Sequence, residues 1–406
     1  MHPLIYDWNT VGAPAEPTGV MLDDETLRDG LQSPSVRTPS IEQKIRILHL
    51  IDTLGIETAN IGLPGAGLHV VRDVERLARE IVEAKLAVRA NCAARTLEAD
   101  IVPIAEVAHR TGLAIEACTF IGSSPIRQYA EDWTLDRLQR LTDDAVRFAV
   151  RQGLEVMYVT EDTTRADPDS LRALYSTAIR AGAKRICIAD TVGHATPAGA
   201  AAVVRFVRSI VDECGGGVGI DWHGHRDRDL AIENSLAAMR AGATRLHGAA
   251  IGLGERVGNT PMDVLLVNLV LMGCRTADLT KLPEYCAAAS EATGVPVPAN
   301  YPVAGRDAYR TATGVHAAAV IKAYKKQDPE LADAVYAGVP ASLVGREQAI
   351  EVGPMSGRSN VVYWLERRGV EATEDRVDRI FAKAKGSSGV LTEPEIRALL
   401  DGENKQ

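Results

Sequence analysis

Aromatic side chains are scarce in this sequence of 406 residues, where Phe, Trp and Tyr together make up 4% of the chain. Long apolar runs are also absent, since no stretch approaches the roughly 20 apolar residues that a transmembrane helix needs. A basic excess is missing too, because the formal net charge at pH 7 is -9. These absences argue against a membrane protein and against a nucleic-acid-binding protein, which is usually basic.

The six cysteines form no C-x-x-C pair, and most of them lie inside apolar runs. Small buried thiols in a reducing compartment explain this distribution better than disulfides or a zinc knuckle do. The first residues, MHPLIYDWNTVGAPAEP, lack the basic and apolar regions of a signal peptide. The sequence therefore predicts a cytoplasmic protein.

Short β-rich runs alternate with longer amphipathic segments in the first two thirds of the chain. Eight strand candidates, from GVMLDD (19–24) to RLHGAAI (245–251), are each followed by a helix-like segment. Eight such units over about 250 residues are the count and length of a (β/α)8 barrel, an α/β fold also called a TIM barrel. An open, doubly wound sheet of eight strands is the alternative, and the regular spacing favours the barrel.

After about residue 275 the rhythm changes to helical segments such as AYRTATGVHAAAVIKAYKK, joined by linkers rich in Pro, Gly and Ser. We therefore predict a catalytic barrel in residues 1–275 and a mainly helical C-terminal accessory domain in residues 276–406.

Catalytic groups in such a barrel come from the C-terminal ends of the strands and the loops behind them. The string HGH follows the seventh strand candidate and places His223 and His225 on one face, since residues i and i+2 of a strand share a face. Two incidental structural histidines are the alternative. The position at a strand end, followed by Asp227, favours a metal site.

The loops after the first and last strands carry further polar groups that could bind the same metal ion. DDETLRDGLQSP contains Asp29, which could ligate a divalent cation, and Arg28, which could bind a carboxylate or a carbonyl oxygen. A solvated acidic loop is the alternative here. GLGERVGNTP contributes Asn259, and its G-x-G-x-x-x-G spacing is not a dinucleotide fingerprint. Asp29, His223, His225 and Asn259 together suit Mg, Mn, Zn or Co without choosing among them.

Five motifs in the expected order resemble the isopropylmalate/homocitrate/citramalate synthase family, whose wider superfamily also includes the hydroxymethylglutaryl-CoA lyases. They are DETLRDGLQ, VTEDTTR, ADTVG, HGH and IGLGERVGN, after strands 1, 5, 6, 7 and 8. TATGVHAAAVIK, VYAGVPASLVG and GPMSGRSNVVYWL resemble the accessory region of the synthases. The resemblance covers about residues 20–370.

This resemblance implies a Claisen-type condensation, in which acetyl-CoA attacks the ketone of a metal-bound 2-oxo acid. Hydrolysis of the thioester then yields a 2-alkylmalate and free CoA. Arg28 would stabilise the developing alkoxide, Thr191 would bind the carboxylate of the oxo acid, and Glu161 matches the catalytic glutamate. We expect 2-oxoisovalerate as substrate, as in leucine biosynthesis.

The resemblance also assigns roles in the C-terminal region. His316 matches the histidine that the synthases usually bring from the partner subunit, and Tyr336 matches a tyrosine near it, which implies a homodimer with exchanged C-terminal segments. From the residues alone, a polar helix face and a core tyrosine are the respective alternatives. No separate allosteric regulatory domain is expected.

The sequence departs from the synthases at three positions. Leu31 stands where synthases commonly have Glu, and RDGLQ is seen in the lyases. Arg226 replaces a common Asn, and Ala318 replaces an acidic residue. The departures at Leu31 and Ala318 put acetyl-CoA handling and the proton relay in question. The signature cysteine loop of the lyases is missing, and the long C-terminal region favours a synthase.

Several other functions stay open at this point. They are a homocitrate, citramalate or other alkyl- or arylmalate synthase, a lyase running the retro-Claisen direction, a metal hydrolase with an H-x-H pair, and a degenerate barrel that serves as a scaffold. The side chain of the oxo acid is not determined by the motifs. We expect the pocket wall near RANCAAR and IGLPGAG.

Overall fold

The computed structural model describes residues 2–12 and 14–401. Within these ranges, no helix has both the length and the apolar character needed to cross a membrane. The chain forms two compact units. The larger consists of Ala15–Ala277 and Glu284–Pro296, and the smaller of Asp278–Pro283, the described residues before Ala15 and those after Pro296.

Parallel strands close into a barrel in the larger unit, where each strand pairs with the next along the chain and the first pairs with the last. They are β1 (Met21–Asp24), β2 (Thr58–Asn60), β3 (Arg89–Arg95), β4 (Ile115–Gly122), β5 (Val156–Glu161), β6 (Arg185–Asp190), β7 (Gly219–Gly224) and β8 (Arg245–Gly248). The predicted (β/α)8 barrel is therefore confirmed, and the open sheet is excluded.

Helices alternate with these strands along the chain. They are α1 (Ile41–Thr53), α2 (Leu68–Glu83), α3 (Glu98–Thr111), α4 (Pro125–Ala130), α5 (Leu135–Arg151), α6 (Pro168–Ala181), α7 (Pro197–Glu213), α8 (Ala231–Arg240), α9 (Met262–Leu271) and α10 (Leu282–Thr293). Local sequence explains where α1 begins, since Ser40 and Gln43 form a reciprocal capping box. Its apolar face, with Ile47, Leu48 and Ile51, is buried.

Strands β3 and β4 run farther toward their C-terminal ends than predicted, to Arg95 and Gly122. The barrel interior is also more polar than the branched aliphatic layers usual for this fold. Asp23 and Asn91 are both fully buried, and the Asn91 Nδ2 atom donates to Asp23 Oδ1 at 2.5 Å. A buried polar network therefore extends into the interior of the barrel.

The smaller unit is mainly helical, in agreement with the prediction. It contains β9 (Arg310–Thr311), α11 (Gly314–Lys325), α12 (Pro329–Ala334), β10 (Ala349–Ile350), α13 (Arg358–Glu366), α14 (Glu374–Lys385) and α15 (Glu393–Asp401). The two short strands pair in parallel. An apolar core that includes Trp364, Leu365, Val377 and Ile380 holds the last helices together.

Candidate active site

The four predicted metal ligands lie at the C-terminal end of the barrel. Asp29 opens a 3-10 turn after β1, His223 lies in β7, and His225 directly follows this strand. Asn259, in the loop after β8, forms a β-bridge with His225. The closure of the barrel between β1 and β8 brings these distant parts of the sequence together.

The donor atoms converge on a small volume. The Nε2 atoms of His223 and His225 are 3.2 Å apart, and Asp29 Oδ2 lies 3.6 Å and 3.7 Å from them. The Asn259 Nδ2 atom donates to the Leu253 carbonyl at 2.8 Å, whereas Asn259 Oδ1 and Asp29 Oδ2 are buried without a hydrogen bond. Leaving a buried acceptor unsatisfied costs about 1–3 kcal/mol. These carboxylate, amide and imidazole donors therefore fit a divalent cation.

Burial sets the protonation of these ligands. It lowers the pKa of His223 to about 3, with His225 adding to the effect, and it lowers the pKa of His225 as well. Burial alone would raise the pKa of Asp29, but Arg28 and His223 hold it below its ordinary value. Two neutral imidazoles and an ionised carboxylate are the forms that bind metal ions.

Arg28 is held beside the donor cluster by two acidic groups. Its Nη2 atom donates to Glu25 Oε2 at 2.6 Å and its Nη1 atom to Asp29 Oδ1 at 3.2 Å. The acidic loop that carries them is buried, with Glu25 1% and Asp29 4% exposed. The alternative of a solvated loop is therefore wrong. A fixed guanidinium in this place can stabilise negative charge on a bound oxygen.

Thr191 and Glu161 line the same cavity as the cluster. The Thr191 hydroxyl oxygen accepts from the Asp162 backbone N–H at 2.8 Å, so its own proton is free to be donated elsewhere. Burial raises the pKa of Glu161, with Arg127 opposing the effect. A carboxyl whose pKa is shifted toward neutrality is suited to proton transfer.

The cavity has a volume of about 210 Å³ and is lined by apolar as well as charged groups. Leu63 and Ala93 belong to its wall, as the segments IGLPGAG and RANCAAR predict. Wall residues that the sequence did not predict lie in β4 and β5, and they are Cys118, Phe120, Met157 and Val159. Their period of two along each strand was the available signal.

A second missed feature lies next to His223. The Nδ1 atom of His247, on β8, is 3.3 Å from Glu25 Oε1, and its Nε2 atom is 2.9 Å from Asp221 Oδ2. Burial alone would lower the pKa of His247, but Asp23, Asp221 and Glu25 raise it to about 9. Glu25, His223 and His247 also lie close enough together to form a second group of candidate ligands.

His316 and Tyr336 belong to the smaller unit and lie against each other. Their rings stack with centroids 4.1 Å apart and an interplanar angle of 16°. His316 lies in the first turn of α11, and Tyr336 follows α12. Because Tyr336 is 48% exposed, the alternative of a core tyrosine is wrong. The catalytic roles of the pair stay predictions from the family resemblance.

Residues 20–288 match the model of the family described as HMGL-like. A probable 2-isopropylmalate synthase from Methanopyrus kandleri is 30% identical over 375 residues, which cover 91% of this chain and 70% of that protein. The homocitrate synthase AksA of the same organism is 35% identical over 377 residues, which cover 91% and 88%. Among solved structures, the HMG-CoA lyase from Brucella melitensis has the same barrel, with a TM-score of 0.56 and 19% identity over 68% of this chain and 98% of that one.

Proposed function

This chain belongs to the HMGL-like family, and from that premise we propose that it is a metal-dependent acyltransferase, which condenses acetyl-CoA with a 2-oxo acid. The resemblance to the isopropylmalate, homocitrate and citramalate synthases is confirmed by relatives that carry these names. In the proposed reaction, the acetyl methyl group loses a proton and its carbon forms a bond to the ketone carbon. Water then cleaves the thioester and releases CoA.

The observation that carries this proposal is the donor cluster of Asp29, His223, His225 and Asn259 beside Arg28. These four residues would hold Mg, Mn, Zn or Co, and the bound cation would orient the oxo acid and polarise its ketone. The Arg28 guanidinium, fixed by Glu25 and Asp29, would stabilise the oxygen that becomes negative.

The remaining polar groups of the cavity have complementary roles in the proposed reaction. The Thr191 hydroxyl group would donate a hydrogen bond to the carboxylate of the oxo acid. Glu161, with its raised pKa, would help to handle the acetyl group or the water that cleaves the thioester. His316 and Tyr336 would complete the site from the partner subunit of a cytoplasmic homodimer with exchanged C-terminal segments.

The wall of the cavity favours 2-oxoisovalerate as the oxo acid, and hence a role in leucine biosynthesis. Leu63, Ala93, Phe120 and Val159 offer apolar contacts to a branched side chain. Among the described residues that line the cavity, the cationic side chains are Arg28, which is paired with Glu25 and Asp29, and His247, which is paired with Glu25 and Asp221. A second carboxylate, as in 2-oxoglutarate, would therefore lack a dedicated partner there. Buried charge without a partner is costly.

The decisive experiment measures free-thiol release from acetyl-CoA with a panel of 2-oxo acids, with and without a chelator. We expect metal-dependent release that is fastest with 2-oxoisovalerate. Release with 2-oxoglutarate or pyruvate instead would keep the condensation and change the substrate. Cleavage of hydroxyacyl-CoA thioesters without any condensation would identify a lyase. Inactivity in both assays would contradict the proposed function and favour the scaffold.

A further inference from the structure

Glu25 is a buried carboxylate to which the proposed reaction gives no part beyond its contact with Arg28. It directly follows β1 and is 1% exposed. A charge at such a position is costly unless other charges compensate for it. The charged neighbours Arg28 and His247 lie within 2.6 Å and 3.3 Å of its two oxygens, and they show what it does.

Its two oxygens contact different functional groups. Oε2 accepts the hydrogen bond from Arg28 Nη2 at 2.6 Å, whereas Oε1 lies 3.3 Å from His247 Nδ1 and 3.9 Å from His223 Nδ1. The Nε2 atom of His223, on the other side of the ring, faces Asp29 and His225. Glu25 thus lies behind both the arginine and one histidine of the candidate active site.

Glu25 is itself anchored from the interior of the barrel. His247, which contacts Oε1, is bound through its other nitrogen to Asp221. Asp221 in turn accepts hydrogen bonds from Arg185 Nε at 2.6 Å and from Arg245 Nε at 2.5 Å. These alternating charges connect the interior to the rim and restrict the positions that the Glu25 carboxylate can take.

We propose that Glu25 is a positioning residue that orients Arg28 through one carboxylate oxygen and His223 through the other, with His247 holding it in place. Ligand histidines are commonly oriented by a carboxylate at their second nitrogen, and loss of such a partner costs 10–100-fold in metal affinity. At 3.9 Å the contact to His223 is too long for a hydrogen bond, so the effect of the carboxylate on the neutral imidazole is electrostatic. This inference rests on the metal site of the proposed function.

The test compares Glu25→Gln with Glu116→Gln. Glu116 accepts from Arg245 at 2.7 Å and so belongs to the same buried network, but it lies at the far side of Arg245. Binding of Co²⁺ is measured by calorimetry and by its visible absorption, without substrates. We expect Glu25→Gln to weaken Co²⁺ binding about 10–100-fold and to change the absorption spectrum, whereas Glu116→Gln leaves both unchanged. The KM for the oxo acid should also rise in Glu25→Gln alone.

Three outcomes would overturn the proposal. Glu25→Gln could bind Co²⁺ like the parent protein, or both variants could weaken binding equally, which would show a general structural effect. Two Co²⁺ per chain in the parent, one of them lost in Glu25→Gln, would make Glu25 a ligand. A parent that binds no Co²⁺ at all would instead contradict the proposed function.

If Glu25→Gln fails to fold, the same measurement is made on a double variant. Glu25→Gln with His247→Gln removes both the carboxylate and the imidazole that it contacts. The interior then loses one negative and one positive charge, and no buried charge is left without its partner. The folded double variant must still bind Co²⁺ more weakly than the parent. Parent-like binding would overturn the proposal.

Discussion

The barrel and the smaller unit present candidate catalytic histidines in very different ways. His223 and His225 are 9% and 5% exposed and are surrounded by groups from β1, β7 and β8. His316, by contrast, shares a ring stack with a tyrosine that is 48% exposed. The barrel histidines have partners on several sides within one unit, which suits ligands of fixed geometry. His316 is half-buried and Tyr336 is exposed, which suits groups that act on a substrate or contact a second subunit.

The largest effect is expected from His223→Ala, which removes one of the two barrel histidines. Without this donor the site loses the several kcal/mol that a bound cation contributes to the transition state, so activity should fall about 10³-fold or more. Thiol release and metal content are measured together. His49→Gln, a histidine change on helix α1, is the matched control and should retain both. A fully active His223→Ala variant without metal would contradict the metal mechanism.

A somewhat smaller effect is expected from His316→Asn. Loss of one acid–base group costs about 10²–10⁴-fold in rate, and we expect kcat to fall within that range while Co²⁺ affinity stays unchanged. Tyr336→Phe keeps the stacked ring and separates the contribution of the hydroxyl. A loss of metal binding in His316→Asn would remove the distinction between the two regions.

Mixing of the two inactive variants sharpens the comparison further. If the C-terminal segments are exchanged in a homodimer, a hybrid of His223→Ala and His316→Asn subunits contains one site with both original histidines. We therefore expect activity to recover when the two proteins are unfolded and refolded together. Absence of recovery in a mixture that contains hybrid dimers would contradict the exchange.

Thr191→Val is expected to have a smaller effect, confined to the oxo acid. Loss of one hydrogen bond to a charged group costs about 1.5–3 kcal/mol, so the KM for the oxo acid should rise at least about tenfold. The KM for acetyl-CoA should not change, and Thr191→Ser should behave like the parent. Equal changes in both KM values would argue against a specific contact with the carboxylate.

The smallest effect on activity is expected at Asp24, whose burial influences stability. Burial raises its pKa to about 7 from 3.8, although hydrogen bonds from Tyr285 and Thr26 oppose the shift. The stabilisation from the protonated form is complete below pH 3.8 and is lost as the pH rises through 7. A shift of about three pKa units corresponds to at most about 4 kcal/mol.

Asp24→Asn mimics the protonated group and should remove this pH dependence. The free energy of unfolding, measured by urea denaturation, should therefore be higher in the variant than in the parent by an amount that increases between pH 5 and pH 8. His49→Gln again serves as the control. Its free energy of unfolding relative to the parent should not show this increase between pH 5 and pH 8. An equal difference for Asp24→Asn at both pH values would mean that Asp24 is ionised throughout.

Much of the fold was predictable because its signals are local. Apolar runs of strand length and the regular spacing of the βα units predicted the barrel, which the structure confirms. The ends of β3 and β4 were less predictable, because the pairing of Asn91 with Glu116 and of Arg95 with Phe120 depends on register with neighbouring strands. Local sequence carries little information about that register.

The candidate site was likewise predictable in part. The barrel rule places groups from strand ends together, and so Asp29, His223, His225 and Asn259 could be grouped without coordinates. The wall residues of β4 and β5 and the contact between Glu25 and His247 were missed. They depend on which side chains point inward from strands that are far apart in sequence.

The sequence by itself determined the order of strands and helices, the family and the kinds of groups available at the rim, because these follow from periodicity and from motifs of adjacent residues. The tertiary structure alone decided that the acidic loop after β1 is buried, that Glu25 lies between Arg28, His223 and His247, and that Tyr336 is exposed. Burial and ion pairing depend on closure of the barrel and on packing within each unit, and so arise only in three dimensions.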